Sequence, residues 1–330
     1  MALAVADRQA ADLSRAGVMI DLGRYGDAAS LTAAVLASSP ASSRGWCLLS
    51  RAHLGGGNAP AAVAAAARAS ALNPADDWPY RLVSMALIGM GQAADAVLAA
   101  QEARNLAPHF WRSHVCLAQA ATAAGQHDVA AQAAATALAL APDVADVHVT
   151  AGKAALGRGD LAEAKRWQES ALAIEPTHSG AINELGRISL RSRDAVTAAA
   201  HFLRAARTSP GTGIFSRNTE LALGRIAVRL AASVTLVAAE AVLLVLAVLT
   251  GNVPLAVLCG ILVIAVALRT ARELRRLPPE GRRHLVRLIG ARGALFGRAI
   301  RTAGLGRVRA RARGRGHSQP AQGRNEPAHD

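Results

Sequence analysis

Residues 182–210 read INELGRISLRSRDAVTAAAHFLRAARTSP, and they end on the last of six evenly spaced prolines: Pro40, Pro74, Pro108, Pro142, Pro176 and Pro210. Composition alone does not produce that spacing. Twelve positions before each proline stands an alanine (Ala28, Ala62, Ala96, Ala130, Ala164, Ala198), and five before it stands alanine or valine (Val35, Ala69, Ala103, Ala137, Ala171, Ala205). Five of the six cycles carry glycine at a further fixed place (Gly23, Gly57, Gly91, Gly125, Gly159), and Arg193 occupies it in the sixth. A fixed period of about 34 residues marks a repeat architecture in which each unit stacks on its neighbours.

One cycle reads as two helices and a tight turn. Glycine supplies positive φ where the first helix stops, and Asn58, Asp128, Asp160 and Asp194 follow as N-caps for the second. Proline, lacking a donor and clashing with the preceding turn, ends the second helix. Alanine at fixed places lets neighbouring helices approach closely. On these residues the chain resembles the tetratricopeptide repeats, whose pattern is W-x2-L-G-x2-Y, then A-x3-F, then P. Trp46-x2-Leu49 resembles the opening, with Ser50 and His53 where the pattern has Gly and Tyr. Leu185-Gly186 resembles it again, with Ile182 in place of Trp, and Ala198-x3-Phe202 with Ala205 and Pro210 resembles the close. The resemblance covers residues 9–212, after a lead of residues 1–8. It implies an all-α, right-handed superhelix of about six helix-turn-helix repeats.

Charge and hydropathy divide the rest. Residues 1–216 hold 18 Lys+Arg against 17 Asp+Glu, whereas residues 217–330 hold 19 against 6, so the overall +14 belongs to the C-terminal third. Ser209-Pro210-Gly211-Thr212-Gly213 marks a boundary, and residues 213–229 read as a linker or juxtamembrane helix. Residues 230–249 carry a single charge, Glu240, and residues 253–268 carry none. A span needs about 20 apolar residues, so the first run suffices and the second is short. The pattern predicts a two-helix transmembrane hairpin.

Glu240 costs about 3 kcal/mol at the centre of a span, and the leucines and valines around it return nearly as much. Two readings stay open for it: a proton or ion relay or a helix-pairing contact, or a tolerated polar residue packed against the hairpin. Arg217, Arg225 and Arg229 precede the hairpin and Arg269, Arg272, Arg275 and Arg276 follow it, while the turn is uncharged. This asymmetry predicts a multi-pass protein of the cytoplasmic membrane with both termini in the cytoplasm. The opening MALAVADRQAADLSRAG, without a basic and then apolar signal pattern, agrees. Cys47, Cys116 and Cys259 form no CxxC and suggest a reducing compartment.

Residues 269–315 hold fifteen arginines and only Glu273 and Glu280 as acids, and residues 316–330 read as a disordered tail. Leu285, Leu288, Ile289, Leu295, Phe296 and Ile300 recur at helical spacing among Arg282, Arg283, Arg287, Arg292 and Arg298. That pattern predicts a basic amphipathic helix on an anionic leaflet. Nucleic acid is the rival, through Arg307–Arg315, but no aromatic residues are interleaved for base stacking.

The repeats hold no nucleophile motif, phosphate loop or spaced His/Cys cluster, so no enzyme, cofactor or metal is expected. The Asp76-Asp77 pair reads as a helix N-cap, and Trp46, Trp78, Trp111 and Trp167 as repeat core. The resemblance implies that the first helix of each pair lines an inner groove. By register its places hold Arg44, Cys47, Arg51, Arg81, Met85, Arg112, Gln119, Lys153, Asn183 and Arg187, with Asp146 at the lip. Six cations with no facing acid would suit an acidic peptide or a C-terminal carboxylate, although a solvated face explains them equally. Two functions follow: a membrane-tethered protein-interaction scaffold, or a small transport or proton-linked subunit in which Glu240 acts and the repeats recruit partners.

Overall fold

The computed structural model describes residues 2–209 and 213–290. Pro210, the boundary at 210–212, Leu295, Phe296, Ile300, Arg292, Arg298 and the tail of residues 316–330 lie outside the described residues. Twelve helices run as pairs: Ala2–Asp21 (α1) and Tyr25–Ser38 (α2), Ser43–Gly55 (α3) and Ala59–Leu72 (α4), Asp77–Gly89 (α5) and Ala93–Leu106 (α6). Trp111–Ala123 (α7) and His127–Leu140 (α8), Ala145–Arg158 (α9) and Leu161–Ile174 (α10), Ser179–Arg191 (α11) and Ala195–Thr208 (α12) complete them. The first helix takes in residues 2–8 as well. Two compact units divide the chain, one of residues 1–194 and 201–216, the other of residues 195–200 and from 217 onward.

Every second helix of a pair has 14 residues. Its start recurs at the interval of the prolines, so the periodicity of the sequence is the periodicity of the backbone. Each proline of the series from Pro40 to Pro176 falls two positions past a helix end. The turn inside each pair is a Schellman closure, in which a left-handed residue lets the next amide reach back to a carbonyl near the end of the helix. Asn58 N donates to His53 O at 2.8 Å, and Arg24, Gln92, Gln126, Asp160 and Asp194 repeat the bond. Gly23, Gly57, Gly91, Gly125 and Gly159 hold φ between 72 and 86°, and Arg193 takes the same turn at φ 62°. The missing sixth glycine therefore leaves the turn intact and moves its conformational cost onto an arginine.

Asn58 and Asp160 cap their helices as expected, accepting from Ala61 N and Glu163 N. Asp128 does not: it lies inside the first turn of α8, and Gln126 holds the cap position without a side-chain bond. Asp76 caps α5 through Trp78 N, but Asp77 is the first residue of that helix and is free to pair elsewhere.

Packing follows the two small-residue columns. All six alanines twelve positions before the prolines are fully buried. Facing them, Ser50 and Ser84 are buried and donate to Ala62 O and Ala96 O, each at 2.8 Å. In the last two repeats glycine stands at that serine column because a large residue fills the space. A Cβ on Gly186 would lie 2.5 Å from the Phe202 ring, and one on Gly152 would strike the Gln168 amide. Trp46, His114 and His148 share another column, and each donates a ring N–H to the carbonyl of Pro40, Pro108 or Pro142, at 2.8, 2.7 and 2.7 Å. His114 and His148 are thus turn clamps at the place of the pattern's tryptophan.

Gly213–Leu249 (α13), in the second unit from Arg217 onward, and Val253–Arg276 (α14) are joined by a turn with Gly251 at φ 70° and Asn252 as N-cap. Gly251-Asn252-Val253-Pro254 repeats the chemistry of Gly57-Asn58-Ala59-Pro60 inside the second repeat. Residues 213–229 and the apolar run after them form one helix of 37 residues, about 55 Å long. Helix α14 runs 24 residues, so it does not stop where its apolar run stops. A protected stripe repeats at 3–4 spacing: Leu223, Ile226, Leu230, Ser233, Val237, Glu240, Leu244 and Ala247 on α13, and Ala256, Cys259, Val263 and Val266 on α14. Glu240 lies on it, half-buried, with Cys259 of α14 nearby. Beyond a break at Leu277–Pro278 the chain is helical again from 279 to 290, with Leu285 buried, Leu288 half-buried and Ile289 exposed.

Candidate partner groove

A groove on the array encloses about 880 Å³. Its apolar lining comes from Ile20, Tyr25, Leu54, Trp78, Leu82, Met85 and Phe110, and its charged lining from Arg51, Arg81, Arg112 and Asp146. First helices of successive repeats supply most of these. Residues one turn apart on a helix, and residues one period apart on neighbouring helices, come to a common face.

Three of the eight residues marked from the sequence meet in this groove: Arg51, Arg81 and Arg112. Arg44, Gln119, Lys153, Asn183 and Arg187 lie outside its lining; Arg44 and Arg187 are exposed, Gln119 and Lys153 half-buried, and Asn183 buried. Cys47 is buried in the repeat core, where desolvation pushes its thiol up to about 12 and leaves it unreactive.

The acid-free face expected from the sequence is corrected by the structure, because half of its cations are already paired. Arg81 Nε meets Asp77 Oδ2 at 2.5 Å, and both side chains are largely buried, at 16% and 15% exposure. Ser113 donates to the same oxygen at 2.9 Å. Arg51 meets Asp21 at 2.8 Å, and Arg187 binds both oxygens of buried Glu184 at 2.8 and 2.9 Å. Asp21 and Asp77 were not marked, yet each is one repeat or one helical turn from its arginine. Arg44, Arg112 and Lys153 have no carboxylate within 4.0 Å among the described residues.

Arg112 is held by rings instead. Its guanidinium lies 4.2 Å from the Trp111 centroid and 5.6 Å from that of Phe110, and Arg81 lies 5.2 Å over the same Phe110. Stacking fixes a guanidinium without using its in-plane donors, so Arg112 presents an oriented fork to the groove. Trp78 and Phe110 were missed as groove residues. Trp78 holds the same place in its repeat as Arg44 and Arg112 hold in the repeats on either side, a register that points to it.

Asp146 closes one side. Its carboxylate accepts from His178 Nε2 at 3.0 Å, while His178 Nδ1 accepts the Ala181 amide and caps α11. The His178 hydrogen bond, with Lys153 and Arg112 nearby, holds Asp146 below the ordinary carboxyl range, although partial desolvation works the other way. The same bond raises the His178 ring, again against desolvation.

Residues 20–77 and 117–182 match the family model described as tetratricopeptide repeat. The twelve-helix array is a tetratricopeptide-repeat solenoid. Among solved structures the chain is similar to a tetratricopeptide repeat protein from Parabacteroides merdae, with TM-score 0.56 at 13% identity, covering 65% of this chain and 84% of that one. The Cut9–Hcn1 hetero-tetramer of APC/C gives 0.53 at 17% identity, covering 81% of this chain and 54% of that one. PilW, a type IV pilus biogenesis factor, gives 0.50 at 13% identity, covering 65% and 98%. Identities this low show the fold alone. No curated protein matches the chain by sequence.

Proposed function

We propose that this protein is a membrane-tethered interaction scaffold in which the hairpin lies in the cytoplasmic membrane and the repeats hold a partner peptide in the cytoplasm. The tether rests on where the apolar residues face. Outside the protected stripe, Val234, Leu236, Val242, Leu243, Val245 and Leu246 on α13 and Val257, Leu258, Ile261, Leu262 and Ile264 on α14 are all exposed. Each such side chain left in water forgoes about 1.5–3 kcal/mol, which a hydrocarbon core would supply. Glu240 is compatible with this placement because it lies on the stripe beside Cys259 and not toward lipid.

The groove takes a partner protein through an acidic side chain or terminal carboxylate lying beside an apolar residue. The observation that carries this is the stacked, carboxylate-free Arg112 next to the exposed thioether of Met85 and the Trp78 ring. A bidentate carboxylate on Arg112 would be worth about 1.5–3 kcal/mol, with apolar contact on Trp78, Leu82 and Met85 adding to it.

The test is affinity capture with the full chain in lipid nanodiscs, followed by Arg112→Ala against whatever partner is held. The expected loss is about tenfold or more. An unchanged affinity would remove Arg112, and the carboxylate with it, from the binding account. Release of the protein from membranes by alkaline carbonate would refute the tether.

A further inference from the structure

We propose that the open end of the hairpin is a collar for the phosphates of anionic lipids, built from Arg272, Arg275, Arg276, Arg283 and Arg287. The inference rests on the tether proposed above and names the lipid class that the tether selects. On α14 an exposed stripe of Ile261, Ile264 and Leu268 continues, at the same 3–4 spacing, as Arg272 and Arg275. One helix face is thus apolar up to Leu268 and cationic beyond it. At about 1.5 Å per residue Arg272 to Arg276 lie about 6–12 Å past Leu268, at the depth of headgroups outside a hydrocarbon core of about 30 Å. The turn at the opposite end, residues 250–254, has no charge, so the collar is one-sided.

A straight continuation of α14 would carry Arg287 about 28 Å past Leu268, clear of the headgroup layer. The chain does not continue straight. Leu277 is extended at φ −71°, ψ 135°, and Pro278 and Pro279 prevent the helix from running through. Leu277 and Leu285 are buried on either side of this break, which anchors the next segment. On that segment Arg283 and Arg287 are four apart, exposed, and share a face.

Not every arginine of the region is available. Arg269 pairs with Glu273 at 3.8 Å, and Arg282 Nε donates to Leu277 O at 3.0 Å, bridging the break. The five collar arginines are exposed and make no ion pair among the described residues. Residues 217–290 contain no Phe, Tyr or Trp, so the collar offers nothing on which bases could stack. Its cations adjoin lipid-facing side chains, which places phosphates of the same leaflet within their reach.

The full chain would be reconstituted into vesicles of phosphatidylcholine with a minority of phosphatidylglycerol, and the lipids retained on it after mild extraction would be counted by native mass spectrometry. Phosphatidylglycerol should be enriched about fivefold or more over the bulk ratio. Arg272→Gln, Arg275→Gln, Arg276→Gln, Arg283→Gln and Arg287→Gln together should return the ratio to bulk while the protein still resists carbonate. Lysine at the same five positions should keep most of the enrichment, which separates lost charge from lost fold. A bulk ratio in the wild type, or undiminished enrichment in the glutamine variant, overturns the collar with the tether intact. A bulk ratio with tight, salt-sensitive RNA binding would reassign the arginines to nucleic acid, and release by carbonate would remove collar and tether together.

Discussion

Gly186→Ala should change sign according to what stands at position 202. In the wild type the new Cβ would fall 2.5 Å from Cε1 and 2.7 Å from Cδ1 of Phe202, which is fully buried, so the ring has no solvent into which to retreat. Overpacking of this kind costs about 1–3 kcal/mol, more than the gain of about 1 kcal/mol from replacing a helical glycine by alanine. Phe202→Ala alone removes a buried ring and should cost about 3–5 kcal/mol. In that background the added methyl enters emptied space and the helix gain stands alone, so Gly186→Ala should stabilise by about 0.5–1 kcal/mol. The double variant leaves small residues at both places, as Ser84 and Ala100 stand three repeats earlier in the sequence. Because a solenoid's stability is summed over neighbours, the effect should be local to the last repeat. Hydrogen exchange of α11, read by mass spectrometry on all four members of the cycle, measures it. An effect of one sign in both backgrounds would refute the packing argument.

Gly91→Ala should cost about 1–2 kcal/mol through backbone strain alone, since φ is 76° and no heavy atom lies within 4 Å of the added Cβ; a thermal melt unchanged from wild type would sink it. Arg81→Ala should cost about 1–3 kcal/mol, because Asp77 would keep only the Ser113 hydroxyl in a largely buried place; denaturant unfolding should show this before any partner is added. The Asp146–His178 pair should be pH-dependent at both edges. His178 is raised above its ordinary 6.5 by Asp146, so its contribution is complete below pH 6.5 and fades as pH rises through the folded value. Asp146 is held below its ordinary 3.8 by His178, so its contribution is complete above pH 3.8 and fades as pH falls through the folded value. The melting difference between wild type and Asp146→Asn should therefore be larger near pH 5.5 than near pH 9, modest because Asp146 is well exposed, and reduced by salt; a difference flat across that range would refute the coupling.

The repeat was legible in the sequence because its causes are local and recur. A left-handed residue, a helix-ending proline and a methyl-sized residue at a close contact are each demanded once per repeat. The Gly-Asn turn of the hairpin is local in the same way, whereas the apolar runs gave neither the start of α13 at Gly213 nor the end of α14 at Arg276. What the tertiary structure decided was the charge state of the groove. Arg51 meets Asp21 across 30 residues, Ser113 meets Asp77 across 36, and His178 meets Asp146 across 32, so each contact joins neighbouring repeats. A column of cations down one face says nothing of an acid one repeat away and a turn to the side. Pairing depends on side-chain reach across the interface between units, which periodicity does not encode. For the same reason Arg112 emerged as the distinctive cation only once Trp111 and Phe110 were seen beneath it, since stacking requires rings at a given height and angle and not merely in neighbouring positions.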